Sequence, residues 1–93
     1  MIKSFADKNT EKLYITGKSS KIKPGIISTA LRKLDYLNAA NSVNDLRIPP
    51  GNRLELLKGD LAGKYSIRIN NQYRIAFNFE MGNAYNVEIK DYH

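Results

Sequence analysis

The sequence contains no cysteine, which removes both a disulfide framework and a thiolate metal site. It has a single histidine, residue 93, and its acidic residues do not cluster. That scarcity argues against a catalytic metal centre, where several imidazoles or carboxylates must converge. No apolar run approaches the roughly 20 residues that a membrane-spanning helix requires. The opening MIKSFADK lacks the apolar stretch of a secretory signal, so a cytoplasmic protein is the expectation. Acidic side chains are in short supply: 9 Asp and Glu stand against 15 Lys and Arg, leaving a net charge of +6. An excess of that sign favours a polyanionic partner such as nucleic acid, or an acidic protein. Charge alone does not separate such a partner from simple solubility.

What is present describes an ordinary folded protein. At 93 residues, 42% hydrophobic and 26% charged, the chain reads as one domain over residues 1–93, with a modest core. IKSF could form an edge strand. In DKNTEKLYITG, Asp7 or Asn9 can cap a short helix and Gly17 can stop it. KSSKIK is a basic linker, most simply a solvated loop. PGIISTALRKLDYLNAAN then carries Ile27, Ala30, Leu31, Leu34 and Leu37 at three- and four-residue spacing, the stripe of an amphipathic helix. Pro24 suits its first turn and Asn41 its end. SVNDLRIPPGN is a loop, and RLELL is either a strand or a lead into the sheet.

From there the period changes to two. KYSIRI, YRIAFNF and AYNVEI alternate apolar and polar positions, which implies three antiparallel strands with one buried face. Helices must cover that face, giving an α+β fold. Register follows from keeping the apolar faces together. If Ile69 faces Tyr73 across Asn70–Gln72, Arg68 lies opposite Arg74. Pairing Phe79 with Tyr85 around Gly82 sets Ile75 opposite Ile89 and Arg74 opposite Lys90. Arg68, Arg74 and Lys90 then form a row on the face turned away from the core. Asp91, Tyr92 and His93 continue past it, level with the first turn. Like charges facing each other are destabilising, and an anion bound across the row would relieve them. A solvated face whose long side chains splay apart is the plainer alternative.

These groups suit RNA cleavage without metal. The 2′-hydroxyl attacks the adjacent phosphate, a base takes its proton, an acid protonates the leaving 5′ oxygen, and cations offset the charge that develops. Imidazole fits the acid or base role, and guanidinium fits the phosphate. GDLAGK lacks the spacing and context of a phosphate-binding loop.

The stretch PPGNRLELLKGDLAGKYSIRINNQYRIAF, followed by VEIKDYH and preceded by the opening MIKSF, resembles the HigB-like toxins. These are the plasmid-maintenance or host-growth-inhibition killer proteins of the RelE/ParE toxin superfamily. The resemblance covers nearly the whole chain. It implies a RelE-like α+β fold, with two N-terminal helices on one face of a twisted antiparallel sheet. It implies a type II toxin–antitoxin system with a helix-turn-helix, HigA-like antitoxin. It implies an endoribonuclease that cuts mRNA in the ribosomal A site and needs neither cofactor nor metal. The family's catalytic patch maps onto Lys58, Arg68, Arg74, Asp91 and His93, with Tyr92, Lys90 and Glu55 in RNA-binding or positioning roles. Two departures stand out. Glu55 occupies a position where some members carry a second histidine, and Tyr65 and Tyr73 stand where tryptophan is common. The superfamily also contains gyrase-directed toxins, and a non-catalytic homologue acting only through its antitoxin is a further alternative.

Overall fold

Helix α1 (Lys8–Thr16) starts and stops where its flanking residues dictate, in a computed structural model that describes residues 1–61 and 63–91. Asp7 is extended, and its Oδ2 accepts the amide of Thr10 at 3.1 Å, satisfying one of the donors that every helix start leaves open. Gly17 closes the helix at φ 75°, a left-handed conformation that costs glycine nothing. Asp7→Ala is expected to cost about 1 kcal/mol, visible as a lower urea midpoint at unchanged slope. An unmoved midpoint would show the cap to be idle.

Helix α2 (Pro24–Ala39) begins on its proline, as expected, and ends two residues short of Asn41, with Ala40 as its cap. Ile26, Ala30, Leu34 and Leu37 are buried, and Ile27 and Leu31 pack at the margin of the same core. The two helices cover one face of a four-stranded antiparallel sheet, ordered β1 (Glu55–Leu56), β2 (Tyr65–Arg68), β3 (Tyr73–Glu80) and β4 (Asn83–Asp91). RLELL thus resolves into a two-residue edge strand. Ile67, Ile75, Phe77 and Val87 supply the sheet's side of the core and are fully buried. Among the described residues no helix is long and apolar enough to cross a membrane.

The first hairpin has the register expected from alternation, with Ile67 opposite Ile75 and Arg68 opposite Arg74. Asn70 sets its turn: Oδ1 accepts the amides of Gln72 and Tyr73 at 2.8 and 2.7 Å, the side-chain mimic of a backbone turn. The second hairpin corrects the expected register at its tip. Glu80 pairs with Asn83 around Met81–Gly82, both at positive φ (49° and 80°), as a two-residue hairpin turn requires. Phe79 therefore meets Ala84, and Asn78 meets Tyr85. A bulge between Ala76 and Asn78 restores the expected pairing, so Ile75 still faces Ile89 and Arg74 still faces Lys90. Asn86 sits in the bulge at φ 54°, a conformation asparagine tolerates better than most residues. Its amide donates to Ser4 Oγ at 2.9 Å and its Nδ2 to Asn78 Oδ1 at 3.1 Å. The extra residue reverses alternation locally. Ala84, not Tyr85, points into the core.

The N-terminal segment is a strap, not a conventional strand. Ile2 and Phe5 form isolated parallel bridges to Ala84 and Val87. The amides of Lys3 and Ala6 donate to the Ala84 and Val87 carbonyls at 2.7 and 2.9 Å. The strap covers the outer edge of β4 around the bulge. Further along, Ile89 donates its amide to the hydroxyl of buried Thr10 at 3.1 Å, which ties α1 to the last strand.

Candidate functional site

Alternation places Arg68, Arg74 and Lys90 side by side on the face opposite the helices, one from each of β2, β3 and β4. Adjacent strands lie about 4.8 Å apart, so the row spans about 10 Å. Each cation is held differently. Arg68 donates through Nη2 to Asn71 Oδ1 in the first turn. Lys90 pairs with Glu88 at 3.5 Å, both side chains partly exposed. Arg74 is anchored most firmly. Its Nε donates to Ser66 Oγ at 2.7 Å, and its Nη2 donates to the carbonyls of Ser66 (3.3 Å) and Arg53. The splaying expected of a solvated face is therefore limited at the centre, where the guanidinium is fixed by the Ser66 hydroxyl and two backbone carbonyls.

The next row along the sheet reads Glu55, Ser66, Ala76 and Glu88. Its two middle residues are small and fully buried, which lets Arg74 lie close to the backbone. Its outer two are carboxylates, three strand spacings or about 14 Å apart, too far to act on one bond together. Ser66, Glu88 and the Arg53 carbonyl were not anticipated from the sequence. Ser66 and Glu88 could have been found by extending the register one row beyond the cations. The carbonyl could not, because Arg53 reaches it through a left-handed backbone at φ 44° in a loop without periodicity.

The remaining anticipated residues are dispersed. Glu55 is exposed on edge strand β1 and shares the cationic face through its pairing with Ser66. Lys58 is exposed beyond the end of β1, toward the end of β2 away from Arg68, with no hydrogen bond or ion pair to another described residue. Asp91 is level with the first turn, opposite Tyr73, and accepts a bond from Gln72 Nε2 at 3.0 Å. Alternation assigns it to the side of Ile75 and Ile89. Tyr92 and His93 lie outside the described residues. Among the described residues no group of three or more His, Cys, Asp or Glu could hold a metal ion.

The profile of the RelE-like toxins of the type II toxin–antitoxin system HigB matches residues 3–93. The chain belongs to this HigB-like toxin family. Toxin HigB-1 of Vibrio cholerae serotype O1 is 48% identical over 87 residues, 92% of each chain. Endoribonuclease HigB of Proteus vulgaris is 32% identical over 93 residues, the full length of both. Among solved structures, the YoeB–YefM complex from Staphylococcus aureus aligns over 100% of this chain and 98% of its own, with a TM-score of 0.57 at 16% identity. That likeness is one of fold, and it identifies the two-helix, four-strand arrangement as RelE-like. This HigB-like protein is accordingly the toxin of a type II toxin–antitoxin pair.

Proposed function

We propose that this toxin is a ribosome-dependent endoribonuclease that cuts mRNA in the A site and thereby stops translation. The observation that carries the reading is the row Arg68, Arg74 and Lys90, with its central guanidinium held in place by Ser66 and the Arg53 carbonyl. Support also comes from a full-length relative in Proteus vulgaris that bears the name endoribonuclease.

In this reading the scissile phosphate lies over the row. The 2′-hydroxyl oxygen attacks phosphorus, the bond from phosphorus to the 5′ oxygen breaks, and the products are a 2′,3′-cyclic phosphate and a 5′-hydroxyl. Arg74 and Arg68 bind the non-bridging oxygens as negative charge builds on them. Lys90 adds a point charge whose field Glu88 partly offsets. His93 serves as general acid or base, Asp91 orients it or acts as its partner, and Tyr92 stacks on or positions a nucleotide. Glu55 on β1 and Lys58 beyond its end line the approach of the RNA chain, with Lys58 adding charge stabilisation. No step calls for a metal or cofactor. A helix-turn-helix antitoxin neutralises the toxin by covering basic surface or by preventing its entry into the ribosome.

The test is 5′-end mapping of one mRNA in a reconstituted translation reaction, with and without ribosomes. New 5′-hydroxyl ends inside the reading frame are expected only with ribosomes. Ends that also appear on naked RNA would remove the ribosome from the mechanism. Growth arrest without new ends, accompanied by a DNA-damage response, would instead establish a gyrase-directed toxin.

A further inference from the structure

Helix α2 carries a lysine where its pattern asks for an apolar residue. Lys33 lies on the inward face between Ala30 and Leu34 and is only 5% exposed. Its Nζ donates to Asn52 Oδ1 at 2.5 Å and lies 6.0 Å from the ring centroid of Tyr36. Among the described residues no carboxylate pairs with it. Its surroundings oppose a positive charge. Burial, then Arg32 and Arg68, hold its pKa below the ordinary lysine value. A buried cation with one neutral acceptor is costly, and the core would accept methionine at that position.

What the lysine secures is the other end of the hydrogen bond. Asn52 is fully buried, and its Nδ2 donates to the carbonyls of Leu46 and Ile48 at 3.1 and 3.5 Å. A lysine ammonium only donates, so Lys33 dictates which edge of the amide faces it. That in turn directs the donor edge at the Leu46–Ile48 backbone. The next residue, Arg53, is held left-handed, its amide bonded to the Pro50 carbonyl at 3.1 Å. Its carbonyl is the one that receives Arg74 Nη2.

We infer that Lys33 is a positioning residue for Arg74, acting through the Asn52 amide and the Arg53 carbonyl. Lys33 touches no RNA. It fixes the loop that aims the central guanidinium. The effect on rate rests on the proposed mRNA cleavage; the effect on Arg74 geometry does not.

The experiment uses the full chain with Lys33→Met, which keeps length and removes the donor. Single-turnover cleavage on programmed ribosomes is expected to slow about tenfold, equivalent to about 1.4 kcal/mol, while the half-saturating ribosome concentration changes less than twofold. The thermal midpoint is expected to hold or rise, because a buried uncompensated charge has gone. In 15N NMR the Arg74 Nε–H resonance is expected to shift and to exchange faster with solvent as its bond to Ser66 loosens. In an Arg74→Ala background, Lys33→Met should cause no further loss. An unmoved Arg74 resonance, or rate losses that simply add, would overturn the inference. If Lys33→Met does not fold, Lys33→Leu, which also lacks a donor, carries the test; unchanged rate and resonance there would overturn it equally. If the wild-type chain cuts no mRNA, the cleavage reading fails and the NMR comparison still decides whether Lys33 positions Arg74.

Discussion

Arg74→Ala is expected to slow single-turnover mRNA cleavage by about 10²–10³-fold, the usual cost of removing one fixed donor to developing charge. Binding to the ribosome should weaken far less, since the net charge falls only from +6 to +5. The expectation rests on anchoring. A guanidinium held by Ser66 Oγ and two carbonyls is already oriented when the phosphate arrives, so little reorganisation remains for the transition state. Arg74→Lys should recover little activity, because one ammonium cannot reproduce the fork that engages Ser66 and Arg53 together. Stability should be nearly unchanged, since the lost bonds are offset by removing a cation that faces both Arg68 and Lys90. Full cleavage by Arg74→Ala would reduce the row to a solvated face. A collapse in thermal midpoint would make Arg74 structural instead.

His93→Ala is the second large effect, about 10²–10⁴-fold on the same rate, as for loss of a general acid or base. No other side chain of the protein supplies an imidazole, and an imidazole has an ordinary pKa of about 6.5, suited to proton transfer near neutrality. Asp91, two residues before His93 in the chain, pairs with Tyr73 beside the cationic row. The pH–rate profile adds a sign. If His93 is the base, activity rises with pH through its pKa, and the variant loses that limb. If it is the acid, the falling limb disappears. A variant that keeps both limbs and its rate would transfer the proton chemistry to Asp91 or Glu55.

Much of this arrangement was legible in the sequence because it depends on local, periodic chemistry. Asp7, Gly17 and Pro24 mark helix ends by what their side chains can and cannot do. The alternation of Ile67, Ile75 and Ile89 forces one register, and the cationic row follows from it without any knowledge of the fold. The bulge at Asn86 broke the pattern because Tyr85 looks like a better core residue than Ala84. The two-residue turn at Met81–Gly82 and the strap, with Ser4 bonding the bulged amide, favour the alternative. Arg74's anchors were hidden for a related reason. A loop carbonyl has no sequence signature, and Lys33 on a charged, amphipathic helix reads as one more surface lysine. The resemblance to HigB-like toxins named the residues at the chain end and at Lys58. It did not name Lys33, Asn52 or Ser66.

The strap on β4 also bears on the order in which the molecule is assembled. Its contacts join residues 82 positions apart, as with Ser4 and Asn86, whereas both hairpins close through short turns. Closing the longer loop carries the larger entropy cost, and contacts of such separation form slowly. The hairpins and α2 are therefore expected to form before the strap closes over the edge of β4. An unprotected edge strand can pair with another chain. The first six residues thus serve as a guard on that edge, and their removal is expected to leave β4 open to pairing between copies.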